Sequence, residues 1–136
     1  IRNAVNALGE SLQRQYLKGQ GYTLCLALSG DQHDLPLIMA KQVLELQGIP
    51  VLNCGRDTPV ESLKTLLKKF KPDRIIVSLT YIEDRKLANR EMNELFKITS
   101  ELKVKICIGG QGIHHISGKH RKNAQLLKSI RDITQI

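Results

Sequence analysis

The sequence predicts an α/β domain: a doubly wound parallel sheet of four to five strands, preceded by one helix. Three observations predict it. Short, near-continuous apolar runs recur along the chain, as strands buried on both faces require. Stretches with apolar residues at helical spacing lie between them, which is the alternation of a βαβ sheet. Glycine and proline punctuate the junctions.

In residues 1–20, Val5, Leu8, Leu12 and Tyr16 recur at helical spacing, with Ala4 and Leu17 beside the stripe, and Gly19 and Gly21 close the segment. This helix is expected to lead from a helical region upstream, because the chain begins at Ile1 rather than Met and reads as a fragment. Residues 21–136 form the α/β domain. Its first strand is 23–29 (TLCLALS), followed by a helix over 35–47 that ends at Gly48. Residues 49–54 give the second strand and 59–70 the second helix. Residues 74–80 (RIIVSLT) give the third strand, 84–102 a long helix, and 104–108 a fourth strand ending at Gly109 and Gly110. A fifth strand is placed at 113–117, a poor one because of His114 and His115, and a last helix at 123–133. Right-handed crossovers then wind the sheet both ways.

With 136 residues, 41% hydrophobic and 25% charged, the chain suits one globular domain and excludes disorder. No apolar run reaches the roughly 20 residues of a membrane span, and the start carries no signal-peptide pattern; a cytoplasmic protein is expected. Cys25, Cys54 and Cys107 have no metal-ligand spacing and fall in strands, where reduced thiols behave as small hydrophobes. The net charge is +8, and from Lys103 onward seven Lys/Arg stand against one acid, Asp132. Such a tail could meet an acidic partner or nucleic acid, but no aromatic residues interleave to stack on bases, so a solvated helix is the expectation.

In an open parallel sheet, ligands sit beyond the carboxyl ends of the strands. Those ends read Ser29-Gly30-Asp31-Gln32-His33-Asp34-Leu35-Pro36, Cys54-Gly55-Arg56-Asp57-Thr58-Pro59, Ser78-Leu79-Thr80-Tyr81 and Gly109-Gly110-Gln111-Gly112. A dinucleotide fold wants G-x-G-x-x-G in the first turn, where Gly30 stands alone. A phospho-acceptor receiver wants an aspartate after the third strand, where Thr80 and Tyr81 stand. Taken alone, His33 is an ordinary polar residue beside a helix start with Asp31 or Asp34 as cap. Ser78 and Thr80 are ordinary strand residues, and Gly109 and Gly110 could simply mark a tight exit. His114, His115 and His120 lack an acid or cysteine to complete a metal site and are expected in solvent.

As an ordered set these ends resemble the signature of cobalamin-binding domains, which are flavodoxin-like (Rossmann-like) folds. Asp31-Gln32-His33-Asp34-Leu35-Pro36 is similar to its D-x-H-x-x-G, with Pro36 in place of the final glycine. Ser78-Leu79-Thr80 is similar to its S-x-L or S-x-T element, and Gly109-Gly110 to its GG. The strings Gly55-Arg56-Asp57-Thr58-Pro59 and Gly109-Gly110-Gln111-Gly112 further resemble the cobalamin domain of MerR-type, light-responsive transcriptional repressors. The resemblance spans residues 23–112. It implies cobalamin as cofactor, in adenosyl or methyl form, bound base-off with His33 as the lower ligand of cobalt. Neutral imidazole suits such a borderline metal, and Asp31 is placed to fix its tautomer. Ser78 and Thr80 would meet the displaced nucleotide tail, and Gly109 and Gly110 would leave its channel open. The function implied is a non-enzymatic sensor in a transcriptional regulator, homo-oligomeric, reaching DNA through a domain absent from this chain. The alternatives are a cobalamin carrier for a methyltransferase or mutase, and a cofactor-free dimerisation module with the same fold, for which Pro36 is the feature.

Overall fold

The computed structural model describes residues 21–135; the expected helix over residues 1–20 and the domain boundary after it lie outside them. The elements are β1 (Thr23–Ala27), α1 (Leu35–Leu46), β2 (Val51–Gly55), a 3-10 turn (Val60–Leu63) running into α2 (Lys64–Lys69), β3 (Arg74–Ser78), α3 (Arg85–Leu102), β4 (Lys105–Gly109), a second 3-10 turn (Gln111–His115), α4 (Gly118–Asn123), β5 (Gln125–Leu127) and α5 (Ile130–Ile133). All strand pairs are parallel, in the order β2-β1-β3-β4-β5. This is the flavodoxin-like doubly wound sheet that the alternation predicts.

The period of two along each strand divides the core. Leu24 and Leu26 of β1, Ile75 and Val77 of β3, and Ile106 and Ile108 of β4 face one layer, where Met92, Leu95 and Ile98 of α3 and Leu66 and Leu67 of α2 cover them. Cys25, Ala27, Ile76 and Cys107 face the other, under Leu37, Ala40 and Leu44 of α1 and Ile133 of α5. Burial on both sides explains why β1 is apolar at every position but Thr23. Each fully buried Leu or Ile stabilises the fold by about 1.5–3 kcal/mol.

Two expectations fail at the carboxyl end. Residues 113–117 lie mostly in the second 3-10 turn rather than in a strand, and the helix expected over 123–133 is divided among β5, a cap and the four-residue α5. Gln125-Leu126-Leu127 has helical propensity, but the open edge of β4 offers a ladder to Cys107, Ile108 and Gly109, and tertiary pairing overrides propensity in so short a segment. Ser129 and Asp132 then form a capping box that starts α5. The helix expected over 59–70 begins as a 3-10 turn, since Pro59 is extended and Ser62 folds back on its carbonyl.

Candidate cofactor-binding edge of the sheet

The chain leaves β1, runs to the edge strand β2, and returns to the other side of β1 as β3. The strand order therefore reverses between β1 and β3, the point at which open parallel sheets bind ligands. Asp31 leaves β1 at that point, and Thr80 and Tyr81 leave β3.

Asp31 joins the two. Its side chain is buried, and its carboxylate takes four hydrogen bonds. Oδ1 accepts from the His33 backbone N–H at 3.2 Å and contacts His33 Nδ1 at 2.8 Å. Oδ2 accepts from the backbone N–H of Thr80 at 2.9 Å and of Tyr81 at 3.3 Å. Asp31 is thus no helix cap. The donation from Nδ1 selects the tautomer that leaves Nε2 with its lone pair free. The His33 side chain is 51% exposed against 3% for Asp31, so a solvent-facing imidazole is oriented by a buried acid. Asp34 occupies the cap position of α1 without a side-chain cap bond; its carboxylate instead accepts from the Arg56 backbone at 3.2 Å and lies 3.6 Å from Arg56 Nε.

Beside this pair a cavity of about 250 Å³ opens between the start of α1, the ends of β3 and β4, and the β5–α5 junction. Ser78, Gly109 and Gly110 line it, with Pro36, Leu127 and Ile130 among its apolar walls. Pro36 sits in the first turn of α1, where its missing N–H costs nothing, and the cavity beside it stays open. Of the six residues singled out from the sequence, Asp31, His33 and Thr80 meet in one hydrogen-bonded group, while Ser78, Gly109 and Gly110 border the cavity. Ser78 Oγ lies 3.4 Å from Thr80 Oγ1 and links the two groups. Thr80 itself stands beside the cavity lining rather than in it.

The glycines do more than leave a channel free. Gly110 has φ +115°, and a Cβ there would overlap the Leu79 carbonyl. A Cβ on Gly112 would lie 2.7 Å from that same oxygen, which accepts the Gly112 N–H. The β4 exit is therefore pressed against the β3 exit, an approach open only to residues without side chains.

Sequence reasoning missed the braces behind this edge. Glu91 is buried, and its carboxylate accepts from Ser29 N at 3.0 Å, Ser29 Oγ at 2.9 Å and Val60 N at 3.1 Å. It ties α3 to the β1 exit and to the turn after β2. An acid within the buried stripe Ala88, Glu91, Met92, Leu95 was the signal that could have found it. Asp57, with φ +50°, accepts from Gly30 N at 2.8 Å and donates its own N–H to the Asp31 carbonyl. The Gly55–Pro59 string thus clamps the loop that carries His33.

His120, expected in solvent, is buried instead. It stacks on Phe96 with ring centroids 4.9 Å apart, and burial, then the charge of Lys119, lowers its pKa, partly offset by a hydrogen bond to the Asn89 backbone. His114 and His115 are exposed, and no metal-holding group of three or more His, Cys, Asp or Glu occurs among the described residues. Cys25 and Cys107 are buried and Cys54 half-buried, all three as free thiols. Burial pushes the Cys25 and Cys54 thiols up to about 12. No helix among the described residues is long and apolar enough to cross a membrane.

The chain matches no protein-family model. It is 25% identical over 97 residues to the methanol–corrinoid protein of Methanosarcina barkeri (strain Fusaro / DSM 804), covering 71% of this chain and 37% of that protein. Its fold superposes with a TM-score of 0.69 on the methanol:cobalamin methyltransferase complex MtaBC of Methanosarcina barkeri, at 19% identity over 85% of this chain and 44% of that one. A cobalamin-binding protein from Desulfitobacterium hafniense DCB-2 also superposes at 0.69, with 20% identity over 96% of this chain and 68% of that one. The fold is thus one found in cobalamin-binding proteins. The chain spans less than half the length of the first two relatives. By their names these relatives back the carrier alternative better than the MerR-type sensor reading, which they do not support.

Proposed function

We propose that this chain is a corrinoid-carrying domain of a methyl-transfer system, holding cobalamin at the carboxyl edge of its sheet. One observation carries the reading: an exposed imidazole, fixed through Nδ1 by a buried carboxylate, stands at the switch point, and an open cavity begins two residues further along its loop, between the start of α1 and the exits of β3 and β4. His33 would present Nε2 to the cobalt, with Asp31 setting its tautomer and ring orientation. Ser78 offers a hydroxyl at the cavity wall, and Gly109 and Gly110 keep that wall bare for the nucleotide tail; Thr80 acts on it through Ser78. When bound, cobalamin supplies the metal centre that takes up and gives away the methyl group. The chain's own residues bind and orient. They do not catalyse, and the names of the relatives suggest that the partner is a methyltransferase subunit rather than DNA.

Titration with hydroxocobalamin, followed by the visible spectrum, tests this. The expected result is a base-off spectrum with a histidine lower ligand, lost in His33→Ala while the variant stays folded. An unchanged spectrum in the wild-type chain would overturn the reading and leave a cofactor-free module. Binding accompanied by a ligand-driven change in size on gel filtration would favour a sensor over a carrier.

A further inference from the structure

At the other end of β4 lies a second, larger concavity of about 890 Å³, between the last turns of α3, the start of β4, and α4 with the start of β5. Lys97, Lys103, Lys105 and Lys119 line it, and no Asp or Glu does. All four are exposed, and none forms an ion pair among the described residues, whereas Lys41 and Lys64 elsewhere do. On α3, Glu94 pairs with Lys64, and Glu94 and Glu101 line a neighbouring groove that Lys97 also borders, which leaves Lys103, Lys105 and Lys119 as the cations without an acid beside them in the cleft. Between the lysines stand neutral donors, the amides of Asn93, Asn123 and Gln125 and the hydroxyl of Ser100. Lys103 takes the left-handed conformation at the end of α3, φ +58°, a place where glycine is usual.

Ammonium groups gathered in one concavity repel each other, and a bound anion relieves that repulsion, most strongly at low salt. Its positive field also reaches buried neighbours. Burial lowers the His120 pKa and the charge of Lys119 adds to it, while burial raises Cys107 against the charges of Lys105 and Arg74.

We propose that this cleft binds a small molecule bearing several negative charges, with phosphate as the fitting chemistry. Lysines serve phosphate as point charges, and a volume in the range of small-ligand sites suits a compact ligand. Nucleic acid fits less well, because the cleft's aromatic rings, Phe96 and His120, are stacked on each other rather than offered to bases. The cleft lies at the amino end of β4 and His33 at the carboxyl edge of the sheet, and β4 alone spans about 13 Å at strand rise. Occupation of one leaves the other accessible, so the inference does not depend on cobalamin.

The test uses the full chain in low-salt buffer, with sodium tripolyphosphate as probe and calorimetry and thermal unfolding as readouts. Saturable binding that raises the unfolding temperature is expected, weakened at least ~10-fold in the double variant Lys105→Glu/Lys119→Glu. Both residues are exposed, and circular dichroism checks that the variant is folded. Reversal should also raise the ligand-free unfolding temperature by relieving repulsion. An equal response to sodium chloride of matched ionic strength, or an unweakened response in the variant, would overturn the proposal. Tighter binding of a single-stranded oligonucleotide than of tripolyphosphate would overturn it in favour of nucleic acid.

Discussion

Replacing Asp31 by asparagine separates what the carboxylate does for the fold from what it does for His33. The carboxylate accepts on both oxygens, from the His33 pair on one and from Thr80 and Tyr81 on the other. An asparagine of the same shape can accept on only one side, and its NH2 must face donors on the other. Whichever way the amide turns, two hydrogen bonds to a charged acceptor are lost. Each such bond contributes about 1.5–3 kcal/mol. The Tyr81 bond is long and its residue exposed, so its N–H recovers water cheaply, and the loss falls to about 2–3 kcal/mol. Urea unfolding of the ligand-free protein should show a lower midpoint at unchanged slope. His33→Ala is the control: its side chain is half exposed, and it should cost less than about 1 kcal/mol. If Asp31→Asn changes the midpoint no more than His33→Ala, the carboxylate is not the tie between the β1 and β3 exits, and the reasoning fails.

Four further outcomes follow from the same geometry. Gly110→Ala should destabilise by roughly 3 kcal/mol or more, since a disallowed φ and an overlap with the Leu79 carbonyl add together; a thermal melt within a degree of wild type would refute the contact. Glu91→Ala should cost about 3 kcal/mol by stranding the Ser29 and Val60 N–H groups, and Glu91→Gln less, as urea midpoints would show. His120 has a depressed pKa, so the unfolded chain takes its proton first, near 6.5. Stability present above that value is therefore lost as pH falls through it, and His120→Gln should flatten the stability profile between about pH 7 and pH 5. With thiols near 12, Cys25 and Cys54 are only about 10⁻⁴ thiolate at pH 8; an aromatic disulfide reagent should react with them quickly only after denaturation, and rapid modification of the native protein would show that strands β1 and β2 open.

β1, β3 and β4 were legible because burial on both faces makes each an apolar run, and because the helices between strands are long enough to show a period; β2, half-buried at the edge of the sheet, was placed by the glycines Gly48 and Gly55 that bracket it. β5 was not. Its three residues pair only with Cys107, Ile108 and Gly109, and nothing local distinguishes Gln125-Leu126-Leu127 from the helix expected there. The edge of β4 decides the matter, and that edge exists only after the sheet has formed. His120 was misplaced for a related reason: its burial depends on Phe96, 24 positions earlier on α3, and on the fold that stacks the two rings.

The candidate site divides along the same line. His33 and Asp31 were readable as a pair because two residues of spacing on a loop bring an acid within reach of an imidazole. The glycines were read for their missing side chains, and the structure shows a packing use for that property. Gly109 and Gly110 do border the cavity, but the overlap that forbids a side chain on Gly110 is with Leu79, on a strand reached through the whole of α3. The Gly55–Pro59 string was noticed as a resemblance, without a role. Its role is a set of backbone hydrogen bonds, Asp57 to Asp31 and Thr58 to Ala27, which side-chain chemistry does not advertise. A ligand edge in this fold is thus built from two kinds of residue. The candidate ligand-facing residues were picked out by type and order, whereas those that hold them in place, such as Glu91 and Asp57, become visible only when distant segments are set side by side.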